Sequence, residues 1–278
     1  MVLVLLRIVG IVLRVALVLL VIMLILVKPG KKRDTSYFHE KLYAHRGLHD
    51  KTVPENSLTA FKLARKNGYG VELDVQMTRD GQLVVFHDGS LKRVCGVDGF
   101  LRDYTYEELQ AFRLNGTDET IPLFSEVLKV LGDTDLICEI KGDNGNKNYE
   151  LCQKTYGELC GYGGRFCVES FSPFLVQWFK KNHPEIIRGQ LSCDFSRDEK
   201  MKWPVKFAMT NLLVNIISKP DFVAYDHRDI HTLGFRLCKA VFRPFTVAWT
   251  AKGEVEQKQA WGSFDAVIFE KLPREENT

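Results

Sequence analysis

Short apolar runs recur along the chain, and longer amphipathic stretches separate most of them. The runs have the length and composition of β-strands: LYAH, VELDV, LVVFH, DLICEI, RFCVES, IIRGQL, FVAYD, FTVAW and DAVIF. Segments such as SLTAFKLARKNG and PFLVQWFKKNH have a helix-like pattern instead. Strands that alternate with helices indicate a parallel α/β architecture. Roughly eight such units predict a TIM (β/α)₈ barrel. A doubly wound sheet is the alternative, although no GxGxxG motif follows the first strand.

The number of strand-like runs exceeds the eight places of such a barrel by one. VELDVQM and LVVFHD are joined only by TRDGQ, which is too short for the crossover that parallel strands need. We therefore predict a β-hairpin at this point. If its turn centres on Asp80 and Gly81, antiparallel pairing places Asp74 opposite His87.

Residues 1–27 are apolar except for Arg7 and Arg14. Their last 20 or so residues have the length of a helix that spans a bilayer. The flank KPGKKRD is basic and follows no cleavage site, so a retained single-pass transmembrane anchor is favoured over a signal peptide. The positive-inside rule then places the following domain on the cytoplasmic side of the cell membrane. A helix that lies on the membrane surface is the alternative.

The predicted organisation has three parts: the anchor at 1–27, a basic linker at 28–40 and the barrel domain at 41–278. One later segment, Pro204 to Pro220, is unusually apolar. It is either the buried face of a barrel helix or a surface that touches lipid near the anchor.

Composition argues against some classes of partner. The net charge of +3 is too small to suggest a nucleic acid ligand, and no nucleic-acid-binding motif is present. The seven cysteines form no CxxC pair, so neither a zinc site nor a redox motif is indicated. They suit a reduced domain that faces the cytoplasm.

Carboxylates interrupt two of the apolar strands. Glu72 and Asp74 are two residues apart in VELDV, so they point to the same face of their strand and repel each other. Glu139 in ICEIK would add a third inward carboxylate. A hard divalent cation with oxygen ligands would offset the repulsion. Pairing with a lysine or arginine on a neighbouring strand is the alternative for any one of them.

Histidines and cations end the same strands. His45 and His87 suit a general acid and a general base, because imidazole exchanges protons near neutral pH. Arg46 offers a bidentate donor for phosphate oxygens, and Lys141 offers a second cation. Gly47 gives the backbone freedom to turn close to a ligand. Together these residues predict a metal-dependent phosphodiesterase or phosphatase.

The motifs AHRG, PENS, VELDVQMTRDGQLVVFHD and ICEIKG, in this order, resemble the glycerophosphodiester phosphodiesterase family. The resemblance implies a TIM barrel with a small insertion at about residues 89–120, and hydrolysis of glycerophosphodiesters to glycerol 3-phosphate and an alcohol. It implies an acid/base pair, His45 and His87. It also implies a Mg²⁺ or Ca²⁺ site formed by Glu72, Asp74 and Glu139. The substrate-binding residues that it implies are Arg46, Lys141, Glu55 and Trp249.

The end of the last strand departs from the family pattern, because Phe269 and Glu270 stand where relatives have Thr-Asp. Two other activities remain open: a lysophospholipase D-like reaction, or a lyase that stops at a cyclic phosphate, on lysophospholipids at the membrane. A non-catalytic membrane scaffold is the alternative from another functional class.

Overall fold

The computed structural model describes residues 2–142 and 148–270. Nine strands form one sheet in the order β1-β9-β8-β7-β6-β5-β4-β2-β3. Their bounds are β1 Leu42–His45, β2 Gly70–Met77, β3 Leu83–Val85, β4 Leu136–Ile140, β5 Phe166–Ser170, β6 Arg188–Ser192, β7 Phe222–Asp226, β8 Phe245–Lys252 and β9 Ala266–Glu270. Because β1 pairs in parallel with both β2 and β9, the sheet closes. The predicted TIM barrel is confirmed, and the doubly wound sheet is excluded.

The α-helices follow in chain order: α1 Val2–Val27, α2 Leu58–Lys66, α3 Lys92–Cys95, α4 Tyr106–Leu109, α5 Phe124–Leu131, α6 Tyr149–Leu159, α7 Pro173–Asn182, α8 Trp203–Thr210, α9 Asn215–Ser218, α10 Leu233–Leu237 and α11 Gly253–Trp261. A π-helical turn, Cys238–Phe242, continues α10. Helix α2 begins where the PENS motif ends, because the Ser57 side chain caps it by accepting a hydrogen bond from the Ala60 amide.

β3 is the additional strand, and it is antiparallel to β2. The predicted hairpin is therefore present, but the predicted register is wrong by one residue. The Phe86 amide donates to the Asp74 carbonyl at 2.9 Å, so Asp74 lies opposite Phe86 and not opposite His87.

The turn explains this difference. The Thr78 amide donates to the Gln82 carbonyl, so three residues form the loop rather than the two that the prediction assumed. Gly81 is the last of the three and has a φ of +79°, the left-handed conformation that such a loop needs from glycine.

The interior of the barrel has an apolar layer and a polar layer. Tyr43, Ile137 and Cys167 belong to one buried apolar cluster near the amino ends of their strands. Residues two positions further along a strand point to the same side, and in β1, β4 and β5 these are His45, Glu139 and Glu169. The apolar layer supports the barrel, and the layer above it is left for chemistry at the carboxyl ends.

The segment between β3 and α5 forms a small helical unit with its own apolar cluster. Leu91, Val94, Leu101 and Leu109 are buried together there with Phe86 at the end of the hairpin. This unit includes most of the insertion predicted at about residues 89–120. It packs against the end of β3 through that shared core.

Helix α1 is exposed to solvent along most of its length, and Val27 is its buried residue. It is long and apolar enough to cross a membrane, which is also true of signal sequences. The predicted linker that follows is packed on the barrel: Phe38 is buried, and the Arg33 guanidinium donates to the carbonyls of Pro184 and Glu185. The last eight residues of the predicted barrel domain, 271–278, lie outside the described residues.

The apolar segment from Pro204 to Pro220 divides into two parts. Leu212 and Val214 are buried, as the barrel-helix interpretation requires. Trp203 just before it and Phe207 within it are 73% and 48% exposed. Burial therefore accounts for residues such as Leu212 and Val214 and leaves the exposed side chains of α8 unexplained.

Candidate active site

Four buried carboxylates meet at the carboxyl ends of adjacent strands. Asp74 on β2 pairs in register with Glu139 on β4, and Glu139 pairs with Glu169 on β5. Glu72 lies two residues before Asp74 and faces the same side. Glu169 was not predicted as a site residue, although an acidic residue within the apolar run RFCVES was a usable signal. Its Oε2 atom has no hydrogen-bond partner among the described residues.

Three of these carboxylates have the geometry of a metal site. Glu72, Asp74 and Glu139 each place one oxygen within 4.8 Å of the others. All three side chains are buried, and an all-oxygen donor set suits hard divalent cations. The residues present therefore fit a divalent metal ion.

Burial and mutual repulsion perturb this cluster. Burial and the charges of Asp74 and Glu139 raise the pKa of Glu72 well above its usual range. Burial would also raise the pKa of Asp74, but the charges of Lys141, His87 and Arg46 outweigh it and lower that pKa. The ionised form of Asp74 is thus favoured by its neighbours, whereas burial and repulsion disfavour the ionised form of Glu72.

Two cations offset part of the negative charge. Pairing with a lysine or arginine was the alternative interpretation of these carboxylates. Lys141 Nζ lies 2.9 Å from Glu139 Oε1 and 3.2 Å from Asp74 Oδ1. Arg46 Nε lies 3.4 Å from Asp74 Oδ2 and has no hydrogen-bond partner among the described residues. Because two cations face four carboxylates, the pairing leaves room for a divalent ion rather than replacing it.

The Arg46 corner depends on unusual backbone conformations. Arg46 and Gly47 have φ values of +55° and +81°. A Cβ at Gly47 would lie 2.8 Å from the Ala60 Cβ, so glycine is required for the close approach of α2. Gly47 thus has a packing role at this turn, beside the predicted one of bringing the backbone close to a ligand. The turn directs the Arg46 amide to Glu72 Oε2 at 3.1 Å.

Glu55 supports Arg46 from behind. Its carboxylate accepts hydrogen bonds from Arg46 at 2.7 Å and from both terminal nitrogens of Arg93. Burial opposes ionisation, but these guanidinium groups lower the pKa of Glu55 to about 2. The structure thus places Glu55 in contact with a predicted phosphate-binding residue rather than in the cavity lining.

His45 is held by the residue that departs from the family pattern. Its Nδ1 lies 2.6 Å from Glu270 Oε1, and Lys252 Nζ lies 3.3 Å from the other oxygen of Glu270. Burial lowers the pKa of His45 to about 4 against the effect of Glu270. A neutral imidazole that donates from Nδ1 has its lone pair on Nε2, and this atom is 3.9 Å from Glu72 Oε2.

His87 has a similar arrangement. Its Nδ1 lies 2.6 Å from Asp88 Oδ1, and Arg93 Nε donates to Asp88 Oδ2 at 2.6 Å. Arg93 therefore joins Asp88 and Glu55, so a continuous series of ion pairs links His87 to Arg46. Arg93 belongs to the insertion, and no pattern in the sequence indicated its role.

One cavity of about 90 Å³ brings these side chains together. Its lining contains both histidines, three of the carboxylates and an aromatic wall: His45, Arg46, Glu72, His87, Glu139, Glu169, Phe171, Leu191, Trp249, Thr250 and Ile268. The space equals roughly three water molecules, enough for a small polar group. A larger cavity of about 380 Å³ lies at Lys28–Arg33, but it contains none of the acidic cluster.

Trp249, the predicted aromatic wall for the substrate, is one of the residues that line this cavity. It packs edge-on against Phe171, with ring centroids 5.5 Å apart. Its Nε1 atom is buried and has no hydrogen-bond partner among the described residues. A buried indole N–H without an acceptor is available to a ligand.

Comparisons with known proteins find a family with a similar sequence. The model of the glycerophosphoryl diester phosphodiesterase family matches residues 45–224. A glycerophosphodiester phosphodiesterase of Bacillus altitudinis is 32% identical over 221 residues, which are 74% of this chain and 86% of the relative. One from Caldanaerobacter subterraneus is 36% identical over 159 residues, and the chain spans 65% of its length.

The fold has known counterparts as well. The structure of an Oleispira antarctica phosphodiesterase in complex with the product sn-glycerol-3-phosphate superposes with a TM-score of 0.69 and 24% sequence identity. The match covers 84% of this chain and 94% of that chain. At this identity the likeness establishes the barrel fold alone.

The acidic cluster predicts a pH-dependent effect of metal on stability. In the unfolded chain Glu72 and Glu139 titrate near 4.5, and folding raises both pKa values. Without metal, their contribution to stability is therefore present below pH 4.5 and is lost as pH rises through the folded-state pKa. A bound ion needs the deprotonated carboxylates. The difference in Tm between Mg²⁺- or Ca²⁺-loaded and chelator-treated protein should widen as pH rises above 4.5.

The matched variants are Glu72→Gln and Glu254→Gln. Loss of a ligand should weaken metal binding, measured by titration calorimetry, by at least about tenfold. Glu254 is an exposed carboxylate on α11, so its replacement should leave binding unchanged. Equal binding by both variants would contradict the assignment of the metal site.

Proposed function

Because the chain belongs to the glycerophosphoryl diester phosphodiesterase family, we propose that it hydrolyses glycerophosphodiesters to glycerol 3-phosphate and an alcohol. The observation that carries this proposal is the single cavity lined by His45, His87, Glu72 and Glu139. Two imidazoles next to an all-oxygen metal site are the equipment for displacement at phosphorus.

Glu72, Asp74 and Glu139 would hold Mg²⁺ or Ca²⁺. Such an ion polarises a phosphoryl oxygen and balances charge that develops on it. Arg46 and Lys141 would bind the remaining phosphate oxygens. The buried Arg46 Nε supports this role, because it has no hydrogen-bond partner among the described residues and is held only by an ion pair with Asp74 at 3.4 Å. Glu55 and Arg93 would keep the Arg46 side chain in place.

The histidines would move the protons. With each Nδ1 hydrogen-bonded to a carboxylate, the Nε2 atom is the one that exchanges a proton with the substrate. One imidazole would accept a proton from the attacking hydroxyl group or water. The other would protonate the leaving oxygen. Glu270 and Asp88 fix the tautomer and the orientation of their imidazoles, as an acidic partner does in other hydrolases.

A lysophospholipid is the second candidate substrate, and the aromatic side chains favour it. Trp249 contacts Phe171, and Phe171 contacts Phe195 outside the cavity with ring centroids 6.1 Å apart. An acyl chain could follow this apolar path. Better turnover of water-soluble glycerophosphocholine than of long-chain lysophosphatidylcholine would count against it, and analysis of the product would detect a cyclic phosphate. The intact cluster of carboxylates and histidines argues against a non-catalytic scaffold.

We also propose that α1 is a single-pass anchor in the cell membrane and that residues 41–278 form a domain on its cytoplasmic side. The length and apolarity of α1 and the basic residues directly after it support this orientation. Oligomeric state plays no part in the proposal, because the carboxylates and both histidines come from one chain.

Substitution of either histidine should remove most of the activity. With the full chain in detergent and Mg²⁺ or Ca²⁺, His45→Ala and His87→Ala should each lower kcat/KM for release of glycerol 3-phosphate from glycerophosphocholine about 10²- to 10⁴-fold. Chelator should abolish release by the unsubstituted protein. His231 is exposed, so His231→Ala serves as the control. Full activity of the His45 or His87 variant would refute the proposed chemistry.

Glu270→Gln should lower kcat at least about tenfold and change KM little, because it removes the anionic acceptor that orients His45 without touching the phosphate-binding cations. Glu270→Asp should recover part of the loss. Glu254→Gln is the matched control on an exposed helix. A higher KM together with a lower kcat and a lower Tm would instead indicate a structural role for Glu270.

Protease access tests the orientation of the anchor. In sealed inside-out vesicles the barrel domain should be digested by added protease, and in right-side-out vesicles it should be protected. The reverse pattern would place the domain outside the cell and overturn the proposed localisation.

A further inference from the structure

Exposed apolar side chains are concentrated on one side of the barrel. Outside α1, seven of the ten large apolar residues that are exposed in the described part of the chain fall between positions 203 and 241. Five of them define what we call the apolar rim: Trp203, Val205 and Phe207 of α8, Ile230 shortly before α10, and Leu233 at its start. A monomeric soluble surface rarely groups its apolar side chains in this way.

The apolar rim lies at the end of the barrel where the cavity opens. Ser192 ends β6, and its hydroxyl group donates to the Met209 carbonyl of α8 at 2.6 Å. The Tyr225 hydroxyl group, near the end of β7, donates to the Thr210 carbonyl at 2.6 Å. The carboxyl ends of two strands thus hold the last turn of α8, which places this helix at the cavity end.

The start of α10 joins the same surface. The Gly234 amide donates to Asn211 Oδ1 at 3.1 Å, directly after α8. A Cβ at Gly234 would lie 2.0 Å from the Asn211 carbonyl oxygen, so only glycine permits this approach. The two halves of the apolar rim are therefore held next to each other by backbone packing.

The anchor helix meets the barrel beside the apolar rim. The Val27 carbonyl, at the end of α1, accepts a hydrogen bond from Asn215 Nδ2 at 2.9 Å. Further along the chain, Lys219 Nζ donates to the Lys28 carbonyl, and the Gly30 amide donates to the Pro220 carbonyl at 2.7 Å. These contacts descend toward the amino end of β7. Residues 27–30 thus run beside residues 215–220, and α1 itself contacts α9 and α10, the helix whose start belongs to the apolar rim.

The composition around α8 suits the surface of a membrane. Lys202 precedes Trp203, and Lys206 precedes Phe207. Trp203 and Phe207 stack with ring centroids 5.8 Å apart, which presents one broad aromatic surface. Aromatic rings beside lysines are typical of side chains at the level of lipid headgroups.

We propose that the apolar rim lies in the surface of the bilayer that α1 spans, so that the cavity of the barrel opens toward the membrane. This inference rests on the anchor part of the proposed function and extends it. The partner is the lipid bilayer itself. Contact with a protein or with a second copy of the chain is an outcome that the experiment would expose.

Fluorescence quenching by lipids tests the proposal directly. The full chain would be reconstituted in phosphatidylcholine/phosphatidylglycerol vesicles with or without bromine on the acyl chains. The sequence contains four tryptophans, so the contribution of Trp203 is the difference between the unsubstituted chain and Trp203→Phe. That contribution should be quenched by brominated lipid. The corresponding contribution of Trp261, from Trp261→Phe on α11, should not be quenched.

Flotation of the same vesicles separates the two proposals. Chain that floats but shows no Trp203-dependent quenching would leave the anchor in place and overturn the apolar rim as a lipid contact. Chain that does not float would overturn the anchor and the apolar rim together. Either result leaves the proposed hydrolysis to be judged by the assay in detergent.

Turnover supplies a second readout. Trp203→Ser combined with Phe207→Ser should lower turnover of lysophosphatidylcholine carried in vesicles about tenfold. The serine side chains would not gain the free energy that the aromatic rings gain when they move from water into the bilayer. Turnover of glycerophosphocholine should be unchanged. Val255→Ser is the matched control, since Val255 is 71% exposed on α11. Equal losses on both substrates, or no loss on either, would overturn the proposal.

Discussion

Repulsion among buried carboxylates governs the active end of this barrel. Glu72, Asp74, Glu139 and Glu169 leave water together, and a group of like charges in a low-dielectric interior is stable only when something compensates. The surrounding architecture supplies that compensation. Strand ends bring Arg46 and Lys141 to the cluster from different βα units, and the site retains a deficit of positive charge that a divalent ion would fill. The barrel is thus more than a support, because the distance between its strands sets how strongly these groups repel.

The same principle orders the histidines, since each is held by a carboxylate that is itself held by a cation. His45 contacts Glu270, which lies near Lys252, and His87 contacts Asp88, which pairs with Arg93. A carboxylate whose charge is balanced by a nearby cation can orient an imidazole without holding the proton of that imidazole permanently. The two histidines therefore have matched surroundings, although their carboxylate partners, Glu270 and Asp88, come from distant parts of the chain.

The sequence predicted the parts of this molecule that depend on local pattern. The alternation of strands and helices predicted the barrel, and the spacing of Glu72 and Asp74 predicted that their side chains share a face. The predicted register of the hairpin was wrong because the loop, which ends in Gly81, has three residues instead of two. The extra residue moves every pair by one position. The partner of Glu270 could not be predicted, because only closure of the sheet brings β9 beside β1. Arg93 was missed for a related reason: its contacts join segments whose relative placement depends on the packing of the insertion.

The two contacts of Arg93 have an implication for how such a barrel can change over evolution. This side chain projects from the insertion, the part of a barrel that is usually freest to be shortened, lengthened or exchanged. Here it holds both Glu55 and Asp88, and thereby Arg46 and His87, which line the same cavity. A graft of another insertion onto this scaffold would have to restore a guanidinium group at that point. Other residues of the insertion can vary, but the placement of Arg46 and His87 depends on the insertion as well as on the barrel.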